Sequence, residues 1–177
     1  MINSKNHEKG GICVIVTIGR TYGSDGREIG RQLARRLNIP FYAADAPGPS
    51  DQEHIRAIQA LADEGACVIV GFCADHVLAG RRGLIRVFVH SGMASRVARI
   101  AGRRGISPAD AEQLALSRDR ERAMVYGRHT RAKWADLSRY DLTVDSGPLG
   151  TEDTVELLCQ FIALKVMRNR PGGCGNG

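Results

Sequence analysis

The chain has 177 residues, 43% of them hydrophobic but only 5% aromatic, and a formal net charge of +6. That length suits one domain with a full-sized core built mainly from Val, Ile, Leu and Ala, and no apolar run approaches the roughly 20 residues that a membrane span requires. The five cysteines are scattered rather than paired at metal-binding spacings, which argues against a disulfide framework or a zinc site, while the positive charge favours an anionic partner.

Residues 1–11 are polar and lack the apolar core of a secretory signal, so a flexible N-terminus and a cytoplasmic protein are expected. From Ile12 to Ile18 runs a continuous β-branched stretch, the pattern of a strand buried on both faces of a parallel sheet and expected at its centre. A glycine-rich turn follows from Gly19, in which Gly23 and Gly26 permit backbone conformations that side chains resist. From Arg27 the apolar positions Ile29, Leu33, Ala34 and Leu37 recur at helical spacing, with Arg31, Arg35 and Arg36 opposite. Strand, glycine turn and helix together aim backbone N–H groups and a helix N-terminus at a phosphate. The loop departs from a Walker A motif: aligned on Gly23 and Ser24, Gly26 falls where the lysine belongs and Arg27 where the Mg²⁺-binding hydroxyl belongs. Asp25 puts a carboxylate where a phosphate would sit. A tight turn of any α/β protein is the competing reading of this loop.

Ile39 to Tyr42 reads as a short edge strand, with Pro40 tolerated near its start. Ala43 to Ser50 is a loop dense in helix breakers, after which Ser50 or Asp51 caps a helix through Leu61 with Ile55, Ile58 and Leu61 as its stripe. Cys67 to Val70 is a second buried strand and leads into Gly71-Phe72-Cys73-Ala74-Asp75, where an open α/β sheet places ligands. Asp75 either accepts from a ligand's base or ribose or complements a helix dipole. Cys13, Cys67 and Cys159 read as small buried residues, and Cys73 as a packed or surface thiol.

Leu84 to His90 is a third buried strand, followed by a helix bearing Arg96, Val97, Arg99 and Ile100. Ser107 as cap, Pro108 at the first position and Asp110 in the first turn start another helix, on which Arg118 and Arg122 share a face beside Asp119 and Arg120. Between Arg81 and Arg139 arginines far outnumber acids, which suits phosphate recognition, with nucleic-acid binding as the rival. Arg128 to Asp136 reads as a basic connection containing Trp134. Tyr140 to Asp145 is the last strand, Ser146 to Gly150 a turn, and Glu152 to Met167 a helix with Val155, Leu158, Ile162 and Val166 inward. The glycine-rich residues 169–177 are expected to be a disordered tail.

Five segments in order carry a resemblance: Thr17 to Gly30, Asn38 to Tyr42, Cys67 to Asp75, Leu84 to His90 and Tyr140 to Gly150. They resemble the cytidylate kinase-like family, a branch of the P-loop nucleoside monophosphate kinases, and Thr17 to Gly30 looks like its variant P-loop. The resemblance implies a three-layer α/β/α domain over residues 12–168, a five-stranded parallel sheet in the order 2-3-1-4-5, and a lid over about residues 103–136. It implies ATP-dependent phosphoryl transfer to a small acceptor, with CMP or dCMP as default, ATP and Mg²⁺ as cofactors, a nucleotide substrate as the partner, and neither membrane nor nucleic acid.

By the same resemblance Gly23, Ser24, Asp25, Gly26, Arg27 and Glu28 bind the nucleotide phosphates, and Arg27 partly replaces the lysine. Arg118 and Arg122 bring fixed positive charge over the transferring group. Ser146 lies in the loop that meets the adenine edge. Phe72 and Asp75 stand at the acceptor site, and Trp134 anchors its connection to the body. Mg²⁺ is held by the triphosphate and waters, with Glu28 or Asp25 assisting, and no protein ligand set is predicted. Two departures point to weak CMP turnover: relatives carry a longer helical insertion after Ala43, and an arginine where this chain has Phe72. The rival readings are a catalytically inactive nucleotide- or phosphate-binding protein of the same fold and, last, a basic nucleic-acid-binding module, for which no motif is recognised. The oligomeric state is not legible.

Overall fold

Val16 and Ile18 have almost no exposed surface and stand beside Val68 and Val70 of a neighbouring strand, the burial on both faces that continuous β-branched runs demand. The computed structural model describes residues 13–44, 51–71 and 73–168. In chain order they form β1 (Ile15–Arg20), α1 (Gly26–Leu37), β2 (Phe41–Ala43), α2 (Asp51–Asp63), β3 (Cys67–Val70), α3 (Ala74–Val77), β4 (Leu84–His90), α4 (Met93–Arg104), α5 (Pro108–Thr130), β5 (Leu142–Asp145) and α6 (Ser146–Arg168). The strands pair in parallel in the order β2-β3-β1-β4-β5, with β1 central as expected.

Alternation along the strands feeds two cores. Val16, Ile18, Val68 and Val70 pack with Ile29 and Leu33 of α1 and Leu158 and Ile162 of α6. Ile15, Cys67 and Ile69 pack on the other face with Ile58 of α2 and Leu78 beyond α3. A smaller cluster of Ile100, Ala111 and Ala115, with Tyr22 against it, joins α4 and α5 and ties both to the loop after β1. Among the described residues no helix is long and apolar enough to cross a membrane.

Several boundaries differ from the sequence-based expectation. β1 continues past Ile18, because Gly19 and Arg20 pair with Phe88 and Val89 of β4. β2 is displaced to Phe41–Ala43. α5 runs on through Thr130 and ends where Arg131 turns left-handed at φ 53°, so Arg128 to Thr130 belong to the helix and the basic connection is shorter. β5 starts at Leu142, after a 3₁₀ turn over Leu137–Arg139. The expected turn Ser146 to Gly150 is helical, and a kink at Gly150 (φ 70°, ψ −176°) separates it from the rest of α6. The terminal segments, Ile12, Ser50 and Phe72 lie outside the described residues.

Candidate phosphate-binding site

The loop from Thr21 to Asp25 is fastened from beneath. The Ser24 hydroxyl, 1% exposed, donates to the carbonyls of Thr21 (2.8 Å) and Val89 (3.2 Å). The Ser146 hydroxyl, fully buried, donates to the carbonyls of Ser24 (2.7 Å) and His90 (3.1 Å). Both serines expected to meet the nucleotide therefore spend their hydroxyls on shaping the loop, and neither lines the cavity described below. Gly23 adopts φ +82°, and a Cβ on it would lie 2.8 Å from Cδ1 of Ile100 in α4. A side chain there is excluded by packing as well as by any phosphate.

Asp25 holds the position before α1 in a left-handed conformation without capping the helix through its side chain. Its carboxylate, 7% exposed, turns to α4 and pairs with Arg103 (2.5 Å) and Arg99 (3.4 Å). The charge that the sequence sets against a phosphate is thus neutralised locally. Arg99 also donates to the carbonyls of Gly23 (3.4 Å) and Ser146 (2.9 Å), and so braces the loop. Gly26, Arg27 and Glu28 form the first turn of α1, whose N–H groups have no acceptor inside a helix and carry the positive end of its dipole. Glu28 accepts from Arg31 (2.5 Å) and Gln32 (2.8 Å), and these bonds hold its carboxyl below the usual range.

A cavity of about 880 Å³ opens at the carboxyl ends of β1 and β3, lined by the loop, the start of α1, Gly71, Cys73 to Asp75, and residues of α4 and α5. Arg27, Arg118 and Arg122 all line it. Arg122 is the most enclosed of the three predicted arginines. Its Nη1 donates to the Arg20 carbonyl (3.2 Å), its Cζ lies 5.5 Å from the centre of the Tyr22 ring, and burial lowers its pKa. Arg118 is half-exposed and pairs with Glu121 at 2.8 Å.

Two residues in this arrangement were missed as site residues. Asp119 accepts the Tyr22 N–H (2.8 Å) and the guanidinium of buried Arg96, which also donates to the Tyr22 carbonyl (2.6 Å), so helix α5 is latched to the loop. Arg20, the last residue of β1, is 8% exposed and lines the cavity; burial, then the nearby Arg122 and Arg27 guanidiniums, push its pKa down to about 9. The sequence signal for Arg20 was the register of β1 against β4, which the glycine at 19 conceals.

On the far wall Asp75, 8% exposed, accepts from the Tyr126 hydroxyl at 2.7 Å. Burial first, and then Asp75, raises the Tyr126 pKa. Trp134 meets Phe88 edge-on at 5.7 Å, and Tyr140 packs on the same ring at 5.0 Å, which anchors the connection after α5 to the sheet. Cys73 is buried on the cavity wall. Phe72 falls outside the described residues.

Among the described residues no group of three or more His, Cys, Asp or Glu could hold an ion. The Ser24 hydroxyl is committed, Arg27 occupies the Walker hydroxyl position, and Asp25 and Glu28 are paired with arginines. These residues do not fit direct protein ligation of Mg²⁺.

A family model described as the cytidylate kinase-like family matches residues 15–47 and 50–148. The chain belongs to the cytidylate kinase-like family. A comparison with curated proteins finds no match. Among solved structures, an uncharacterized protein from Eubacterium ventriosum ATCC 27560 is 25% identical with a TM-score of 0.78, over 85% of this chain and 98% of that one. Shikimate kinase from Bacteroides thetaiotaomicron is 14% identical with a TM-score of 0.58, over 85% and 98%. The YorR protein from Bacillus subtilis, in complex with phosphorylated GDP, is 13% identical with a TM-score of 0.62, over 89% and 100%. The last two likenesses concern the fold. Family and fold are kinase-like, and the cytidylate kinase-like sheet order is the one observed here.

Proposed function

We propose that the protein is an ATP-dependent phosphotransferase acting on a small acceptor in the cytoplasm, with CMP and dCMP as the first acceptors to test. The observation that carries this reading is the convergence, on one cavity of about 880 Å³, of the loop after β1, the first turn of α1 and the lid arginine Arg122. Backbone N–H groups of Gly23 to Arg27 cradle the β-phosphate, and Arg27 supplies charge in place of the Walker lysine. Arg122, with Arg118 outside it, offsets charge that develops on the γ-phosphoryl group in transit. Mg²⁺ arrives with ATP and neutralises phosphate charge, since the described residues offer it no ligand set. Binding of phosphorylated GDP by the similar YorR protein supports a nucleotide in this fold.

CMP turnover is expected to be poor. Between β2 and β3 the described residues hold the single helix α2, a small enclosure for an acceptor nucleotide, and the sequence has Phe72 where relatives carry a guanidinium. A coupled ADP-release assay across CMP, dCMP, UMP and AMP tests the reading. Acceptor-dependent ADP release is expected, without saturation by CMP at micromolar concentration, and Arg122→Ala should lower it by about one or more orders of magnitude. Absence of acceptor-dependent release across the panel would overturn phosphoryl transfer to these acceptors and leave a nucleotide-binding protein.

A further inference from the structure

Helix α6 has two apolar faces with different fates. Val155, Leu158 and Ile162 turn inward and are buried in the core with α1 and the sheet. On the outward side Leu157, Leu164 and Met167 are 39%, 60% and 64% exposed. A single exposed apolar residue is ordinary, but a row of them along one helix face marks a contact surface. Asp153, Leu157, Gln160, Leu164 and Met167 follow one another at steps of four, three, four and three residues, which is the spacing of a seam between two helices.

The row is complementary to its own reverse. Laid antiparallel against a copy of itself about a two-fold axis between Gln160 and Phe161, the helix sets Leu157 opposite the copy's Leu164 and Asp153 opposite the copy's Arg168, and the symmetry makes each pairing twice. A parallel arrangement in register would instead bring Asp153 to Asp153 and Arg168 to Arg168, like charge against like. The neighbouring charges are already taken within the chain: Glu156 pairs with Arg36 of α1, and Lys165 pairs with Asp141, just before β5, at 2.7 Å. Among the described residues neither Asp153 nor Arg168 has an ion pair, so the charged ends of the row are left for the copy.

We propose that this face docks a second copy of the chain, giving a two-fold dimer through antiparallel α6 helices. No residue of α6 lines the cavity described above, so the contact uses none of that site and the inference stands apart from the kinase reading. From Asp153 to Arg168 the helix runs about 22 Å. One such helix against its copy lies toward the small end of specific interfaces, which makes the dimer reversible rather than permanent.

Sedimentation velocity of the full chain from about 1 to 500 μM tests this, and a dimer forming within that range is the expected result. Leu164→Glu should leave only monomer over the same range. Asp153→Arg and Arg168→Asp, each alone, set like charges opposite one another and should weaken the dimer about tenfold, whereas both together in one chain restore opposite charges across the axis and should return the affinity to within about threefold of the parent. Damage to α6 itself would not give that rescue. Monomer at every concentration, as when another segment or a different protein covers the row, overturns the proposal. So does a dimer that Leu164→Glu leaves unchanged, or one that the single reversals do not weaken or the double reversal does not restore. If Leu164→Glu does not fold, the reversals decide alone, because Asp153 and Arg168 are both exposed.

Discussion

Asp25 sits at φ 61° and ψ 13° with its carboxylate buried against two arginines. Left-handed backbone costs an L-residue roughly 1–2 kcal/mol, and the negative charge stands in the loop that the proposed function assigns to phosphate. Glycine removes both burdens and leaves Arg103, an exposed side chain, open to an anion. Asp25→Gly is therefore expected to fold and to bind ADP about three- to tenfold more tightly by calorimetry; weaker binding would contradict this account of the loop. The misplaced carboxylate was legible from spacing alone, but its neutralisation was not, because Arg99 and Arg103 come from a helix distant in sequence. Arg20 escaped for a different reason: the β-branched run ends at Ile18, Gly19 reads as the start of a turn, and only pairing with Phe88 and Val89 extends the strand. Ser146 shows the converse, since a buried serine that donates to backbone carbonyls looks, in sequence, the same as one facing a ligand.

Helices α4 and α5 act on the site as one unit through Arg96, Asp119 and Tyr22. The Arg96 and Asp119 side chains are 7% and 16% exposed, and removing one member of a buried pair typically costs about 3 kcal/mol or more because the other charge is left behind. Asp119→Ala should lower the Tm by roughly 6–12 °C for a chain of this size, and Asp119→Asn by less because it keeps an acceptor for the Tyr22 amide. An unchanged thermal midpoint for Asp119→Ala would show that the latch contributes nothing to stability. The start of α5 was legible because Ser107, Pro108 and Asp110 are local signals, and the Ser107 hydroxyl does accept the Asp110 N–H. Its end was not: Arg128 and His129 read as a polar connection, and the chain leaves the helix only at Arg131. Equally, the kink at Gly150 divides a helix that opens at Ser146, well before Val155, the first residue of its apolar stripe.

In the assembled molecule the parallel sheet delivers the ends of β1 and β3 and the loops beyond them to one cavity. Strand identity was readable from apolar runs, whereas the order 2-3-1-4-5 came from the family resemblance, because hydrophobic runs do not state their neighbours. The excess of arginine between Arg81 and Arg139 likewise said only that an anion was wanted; the latch through Asp119 and the braces from Arg99 are what bring that charge to the loop after β1. The central claim is that this loop and the first turn of α1 hold the phosphates of a nucleotide. Hydrogen–deuterium exchange of the unmodified protein, with and without millimolar ADP and Mg²⁺, tests it most directly. The account predicts slower amide exchange on ADP addition across residues 19–30, with α2 little affected; exchange in that segment unchanged by ADP, or protection confined to other elements, would contradict it.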